Sequence, residues 1–322
     1  MGVKISVVIP TYRRPDLLVR CLNALFEQNF NDSYCEIVVI SDGPDDTTEK
    51  ALKKLKKPAN LSFKYLSTPK KKGPAAARNL GWLEAKGSLI AFTDDDCIPD
   101  KNWLYNICNS YLGEEEIVYT GYVKVPLPDK PTDYELNIYN LETAEFVTAN
   151  CVCTKKALLK VGGFDERFQI AWREDSDLHF KFLKQGISIK KIDATVVHPV
   201  RKAHWGISIK EQKKGIFNAL LYKKYPDLYR KRIKPYPSWN YYCIIICTFA
   251  IAIGILNNIL WLFFWGLCIW LLLITKFINK RLSATTHSFT HVLEIIVTSV
   301  FIPFFSVYWQ LYGAVKYRVL FI

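Results

Sequence analysis

Two groups of carboxylates carry the chemistry that this sequence offers. Asp94, Asp95 and Asp96 close the apolar run of residues 89–92, and Glu174, Asp175 and Asp177 follow Trp172 and Arg173. Three adjacent acids cannot share a dry core, because like charges raise one another's pKa and a buried carboxylate needs a partner. The first group must therefore meet solvent or a cation. In an extended chain alternate side chains share a face, which puts Asp94 and Asp96 together. Hard oxygen ligands at a strand tip suit Mg²⁺ or Mn²⁺, ions that complete their shells with phosphate oxygens. The competing reading is a polar turn continuing through Cys97 to Asp100. For the second group, acids in the first turn of a helix complement its dipole, so capping is the competing reading for at least two of them.

Both groups need a scaffold. Residues 5–9 are a β-branched run stopped by Pro10, and Leu17, Leu18, Cys21, Leu22 and Leu25 then recur at helical spacing. Residues 36–40 form a second strand, followed by the turn Ser41, Asp42, Gly43, Pro44 and a lysine-rich helix over 47–57. A third strand over 63–66 precedes Gly73 and Pro74, where small residues open a helix. Strand alternating with helix predicts a doubly wound, mostly parallel sheet, with ligands at the carboxyl ends of its strands. Thr11, Tyr12, Arg13, Asp42 and the three aspartates then line one crevice. Arg78 reaches an anion there or makes a surface ion pair. Residues 115–150 read as a strand at 117–119 and a long excursion rich in proline and aromatics, the length of a lid or acceptor-binding element. Residues 146–153 read as another strand, with Cys151 and Cys153 in the core, and the stretch 187–197 as a strand ahead of His198.

Residues 7–12, the segment Ile40 to Gly43, residues 73–79 and Thr93 to Asp96 come in an order and spacing that resemble family 2 glycosyltransferases of the GT-A fold. The likeness continues through Val161, Gly162, Gly163, Phe164, Asp165, Glu166 and through Trp172 to Leu178, covering residues 4 to about 230. It implies an α/β catalytic domain over 1–235 that transfers a sugar from a nucleotide-sugar donor, with inversion, using Mn²⁺ or Mg²⁺. By the same likeness Pro10, Thr11, Tyr12, Arg13, Asp42, Arg78, Asp94 and Asp95 form the donor pocket, and Asp96 and His198 hold the metal. Asp175 is the general base, with Asp177 its rival, while Gly163, Phe164, Trp172 and Glu174 lie toward the acceptor. His204 is a weaker alternative to His198. The Gln-x-x-Arg-Trp signature of processive synthases does not follow the base, so a single addition is expected.

Half of the 322 residues are hydrophobic, and the excess lies near the C-terminus. Residues 241–274 are apolar apart from Asn257 and Asn258; Arg230, Lys231, Arg232 and Lys234 precede them, and Lys276, Lys280 and Arg281 follow. A membrane hairpin with both ends on the cytoplasmic side fits that charge. Residues 291–318 span or lie along the interface, with Tyr308, Trp309 and Tyr312 at headgroup level and an interfacial helix favoured. The region 236–322 is thus read as a membrane attachment, and a lipid-linked or envelope glycan acceptor follows. The net charge of +13 suits a lipid surface; no zinc-finger or RNA-binding signature points to nucleic acid. Nine cysteines without paired spacing fit a reduced cytoplasm, and Met1 leads almost directly into a strand, leaving no room for a signal peptide. Two other readings remain: a metal-dependent nucleotidyltransferase, whose glycine-rich phosphate loop is missing after the first strand, and a silent membrane-anchored nucleotide-sugar-binding protein.

Overall fold

A computed structural model describes residues 4–321. Along the chain it forms β1 (Ile5–Thr11), α1 (Pro15–Phe26), β2 (Cys35–Ser41), α2 (Asp46–Lys54), β3 (Ser62–Ser67), α3 (Pro74–Glu84) and β4 (Leu89–Phe92). There follow β5 (Ile98–Pro99), α4 (Trp103–Ser110), β6 (Ile117–Lys124), α5 (Asp133–Tyr139), β7 (Cys151–Thr154), α6 (Lys155–Val161), α7 (Glu174–Lys184) and β8 (Ser188–Val197). The rest is helical: α8 (Ile207–Glu211), α9 (Ile216–Lys224), α10 (Pro226–Arg232), α11 (Trp239–Leu256), α12 (Leu260–Leu282) and α13 (Phe289–Tyr317).

The chain divides into two compact units. Residues 1–126 and 139–200 make the first, an eight-stranded sheet in the order β3-β2-β1-β4-β7-β6-β8-β5. Strands β3, β2, β1 and β4 run parallel, and β7 turns against β4 and β6, so the sheet is mixed. Strands β1, β2, β4 and β7 are buried along their whole length, which is why they read as continuous apolar runs rather than alternating ones. The register pairs Thr11 with Ser41 and Val8 with Phe92, so three parallel strands end at one edge. The loops that carry Tyr12, Asp42 and the three aspartates open there.

Three elements depart from the expectation. Helix α2 stops at Lys54, ahead of Pro58, whose ring disfavours helix in the residue before it, and Asp45 caps its start by accepting from Thr47 and Thr48 N–H. The strand expected over 146–153 is confined to Cys151–Thr154. Asn150 draws the preceding turn inward: its Nδ2 donates to Tyr122 O and Ala194 O, and its Oδ1 accepts from Trp103 Nε1. The third departure lies after β4. That strand ends at Phe92, and the acids sit in a turn closed by Cys97 N–H on Asp94 O at 3.1 Å. Strand alternation therefore does not place Asp94 and Asp96.

Residues 127–138 and 201–322 form the second unit. Helices α11, α12 and α13, of 18, 23 and 29 residues, are each long and apolar enough to cross a membrane. Helices α11 and α12 pack closely where Gly254 meets Phe263 and Gly266 meets Ala250 and Ile251. Within this unit Arg281 is half-buried and donates to Asp133, Ser208, Thr298 and Ser299, tying α12 to the 127–138 segment and to α13.

Candidate active site

Three arginines grip the turn after β4. Arg78, on the buried side of α3, donates to Asp94 Oδ1 at 2.7 Å. Arg14, at the cap of α1, lies 2.9 Å from Asp95 Oδ1 and 3.5 Å from Asp96 Oδ2. Arg20 Nη2 reaches Asp96 O at 3.4 Å, and Thr11 Oγ1 donates to Asp95 Oδ2 at 2.7 Å. These cations resolve the like-charge problem, unequally. Burial pushes the Asp95 carboxyl up to about 7 against Arg14 and Thr11. Burial acts the same way on Asp94, but Arg78, with His198 and Arg14 behind it, outweighs burial and holds that group below its ordinary value.

Beyond the turn, His198 leaves the end of β8, and its Nε2 lies 3.5 Å from Asp96 Oδ1. Its Nδ1 is buried without a hydrogen-bond partner. One ligand atom each from Asp96, Cys97 and His198 falls within 4.8 Å of the others. A carboxylate oxygen beside an imidazole suits a divalent ion, and the orphaned ring nitrogen marks a group whose environment is incomplete. Asp96 and His198, far apart in sequence, are thus brought together as a donor set that fits. His204 lies in the second unit and is exposed.

Arg78 also links the two acid groups. Its Nη1 lies 3.2 Å from Glu174 Oε1, so one guanidinium joins the turn after β4 to the first turn of α7. Glu174, expected toward the acceptor, is only 5% exposed and sits on this arginine. Burial raises its carboxyl to about 7, with Arg78 opposing and Asp175 adding to the rise. Asp175, the next residue, is half-buried and accepts Ser176 N–H at 2.6 Å and Ser176 Oγ at 3.2 Å, both on Oδ1. Its pKa is raised, with burial outweighing Ser176 and the neighbouring arginines. The rival, Asp177, is fully buried and lies 3.7 Å from Lys181. Helix α7 begins at Arg173, which holds a left-handed φ of 73° with its guanidinium 4.5 Å from the exposed Trp172 ring. Such a conformation in a residue other than glycine is sparsely populated and clusters at functional sites.

After β2, Asp42 is buried and ties down the next loop, accepting from Lys72 N–H at 2.7 Å and Gly73 N–H at 2.9 Å. Pro10 is buried, and Tyr12 is half-buried with Lys71 Nζ 3.9 Å and the Arg13 guanidinium 5.4 Å from its ring centre. Arg13 is exposed and left-handed (φ 51°), which turns it away and hands the acidic turn to Arg14. Gly163 and Phe164, expected on the acceptor side, are packing positions: Phe164 lies edge-on to Phe92 at 5.3 Å, and Gly163 abuts Asn79 and Trp82. Arg14, Arg20 and Cys97 were missed in the sequence. Arg14 and Arg13 are adjacent arginines, and only the backbone reversal between them decides which faces inward.

Residues 6–164 match the family model described as glycosyl transferase family 2, and residues 134–204 the one described as the N-terminal domain of galactosyltransferase. Through residues 6–164 the chain belongs to glycosyl transferase family 2. The chain is 30% identical over 131 residues to glycosyltransferase AglE of Haloferax volcanii, covering 41% of this chain and 43% of that one. It is 33% identical over 93 residues to the GalNAc(5)-diNAcBac-PP-undecaprenol beta-1,3-glucosyltransferase of Campylobacter jejuni, covering 29% of each. The chain spans less than half the length of these relatives. A solved mannosyltransferase, PcManGT from Pyrobaculum calidifontis in complex with GDP-Man and Mn²⁺, superposes with a TM-score of 0.56 at 17% identity, over 98% of this chain and 87% of that one. The fold is GT-A, with three apolar C-terminal helices added.

Proposed function

We propose that this glycosyltransferase moves a single sugar, with inversion, from a nucleotide-sugar donor to a membrane-associated acceptor, on the cytoplasmic face of the membrane. The observation that carries the reading is the single Arg78 guanidinium that joins Asp94 to Glu174 and so sets Asp175 beside the acidic turn. Pro10, Thr11, Tyr12, Arg13 and Asp42 line the end of the crevice where a base and ribose fit, with Asp94 and Asp95 beyond them. Asp96 and His198 would hold Mn²⁺ or Mg²⁺, which supplies positive charge to the departing diphosphate.

Asp175 then acts as general base. Its Oδ1 is occupied by Ser176, which leaves Oδ2 to take the proton of the acceptor hydroxyl as that oxygen attacks the anomeric carbon. Attack from the face opposite the nucleoside diphosphate inverts the anomeric centre. Burial keeps the carboxylate basic enough for the task. A lipid-linked or envelope glycan acceptor agrees with the name of the undecaprenol-dependent relative and with the apolar C-terminal helices. The cytoplasmic face follows from Arg230, Lys231, Arg232 and Lys234 ahead of α11 and Lys276, Lys280 and Arg281 at the end of α12.

Thermal-shift titration of the detergent-solubilised chain with nucleoside diphosphates, with and without Mn²⁺, tests this. Binding to the folded state raises the melting temperature by mass action. A rise with one nucleotide that requires the metal is expected, and transfer from the matching nucleotide sugar then identifies the enzyme. Metal-dependent binding without transfer to any acceptor would favour a silent binding protein, and no rise with any nucleotide would remove the donor-site reading.

A further inference from the structure

Helix α13 is apolar and long enough to span, but its packing does not suit a span. One stripe of it is buried, through Ile295, Thr298, Ile302 and Gly313, and α8, α9 and the lysine-bearing turn between them pack against the helix. Near its start Glu294 Oε1 accepts Gly206 N–H at 2.7 Å, ahead of α8. Farther along, a Cβ on Gly313 would lie 2.7 Å from Ile216 O in α9, and at the end Lys223 Nζ donates to Tyr317 O at 2.7 Å. From residue 294 to 317 the contacts run about 35 Å at 1.5 Å per residue, more than the roughly 30 Å of a bilayer core. A spanning α13 would carry Lys210, Lys213, Lys214, Lys223 and Lys224 into hydrocarbon with it, at a prohibitive cost for five cations.

Where α13 bonds to the α11–α12 hairpin points the same way. Gln310 Nε2 donates to Tyr242 in the first turn of α11, and Arg281, in the last turn of α12, donates to Thr298 and Ser299. Both bonds fall at the charged end of the hairpin, so α13 crosses its open end there. The face of α13 left uncovered is a continuous apolar stripe, with Leu293, Ile296, Phe301, Phe305, Tyr308 and Tyr312 all exposed.

We propose that α13 lies in the plane of the membrane, its uncovered stripe set into the boundary between headgroups and acyl chains, while α8, α9 and the turn between them cover its other side and offer their lysines to anionic headgroups. The chain then crosses the bilayer twice, through α11 and α12, and its C-terminus returns to the side from which α11 enters. This topology is independent of the chemistry assigned to the acidic turn.

Epitope tags placed at the N-terminus, between Asn257 and Asn258, or after Ile322, each in the otherwise full chain in sealed membrane vesicles, test it by accessibility to an impermeant antibody. The N-terminal and C-terminal tags should be reached from one face and the 257/258 tag only from the other. An N-terminal and a C-terminal tag on opposite faces would make α13 a third span and overturn the proposal. All three tags on one face would overturn it as well, because the hairpin would not cross.

Discussion

At the residue scale, burial divides the two acid groups: Asp95 and Glu174 are shut in against Arg14 and Arg78, while Asp94 and Asp175 keep part of their surface. Asp175→Asn should abolish transfer while donor binding in the thermal-shift titration survives, because only the proton acceptor is removed. Asp96→Ala should instead remove the Mn²⁺-dependent part of the shift. Equal loss of binding in both variants would end that division of labour. Because burial raises Asp175, the acid limb of the pH–rate profile should lie above that of a solvent-exposed aspartate. Glu174 gives a separate signature in stability. Its folded-state pKa of about 7 stands above the ordinary 4.5, so the native chain binds the proton more tightly than the unfolded chain does. That contribution is complete below 4.5 and is lost as pH rises through about 7. Glu174→Gln keeps an acceptor for Arg78 and removes the titration, so the melting temperature of the variant should fall less than that of the parent over this interval. The acids themselves were legible as types in a pattern. Of their partners Arg78 was legible as a cation facing the crevice, whereas Arg14 was not, since it meets Asp95 only through the backbone reversal at Arg13.

At the element scale, the sheet was legible because its central strands are continuous apolar runs, and the turn chemistry was legible because Pro, Gly and Asp punctuate it. What the sequence hid was the geometry past a strand end: alternation holds only while the chain is extended, and β4 stops at Phe92. The tight pair Gly162 and Gly163 shows how such a site is held. Gly162 ends α6 with φ 71° and has open space where a Cβ would be; Gly163 has φ 61°, and a Cβ there would fall 2.7 Å from Asn79 Oδ1. That oxygen accepts Phe164 N–H and Trp82 Nε1, so the pair docks α3, the helix that carries Arg78, against the loop ahead of α7. Gly162→Ala should cost about 1–2 kcal/mol, the left-handed conformation alone, whereas Gly163→Ala should cost about 2–4 kcal/mol because the clash adds to it. Equal melting temperatures for the two variants would remove Asn79 from this account.

At the scale of the whole molecule, the chain leaves the first unit after Pro126, folds residues 127–138 with the second, and returns at Tyr139. Composition could not reveal that exchange, because the excursion is rich in proline and aromatics and no periodicity marks its partner. Its lock is electrostatic: Arg281 Nη2 lies 2.8 Å from Asp133 Oδ2, with the arginine 8% and the acid 18% exposed. Removing one partner of a buried pair leaves the other charge without its counter-ion, at a cost of about 3–5 kcal/mol, whereas replacing both with apolar residues is often neutral. Arg281→Met should therefore lower the melting temperature sharply in detergent, Asp133→Leu should do the same, and the double variant should recover most of the loss. Additive losses would mean that the two residues act separately, and that the excursion is held by Thr286 N–H on Pro131 O, at 2.7 Å, and by packing rather than by the ion pair.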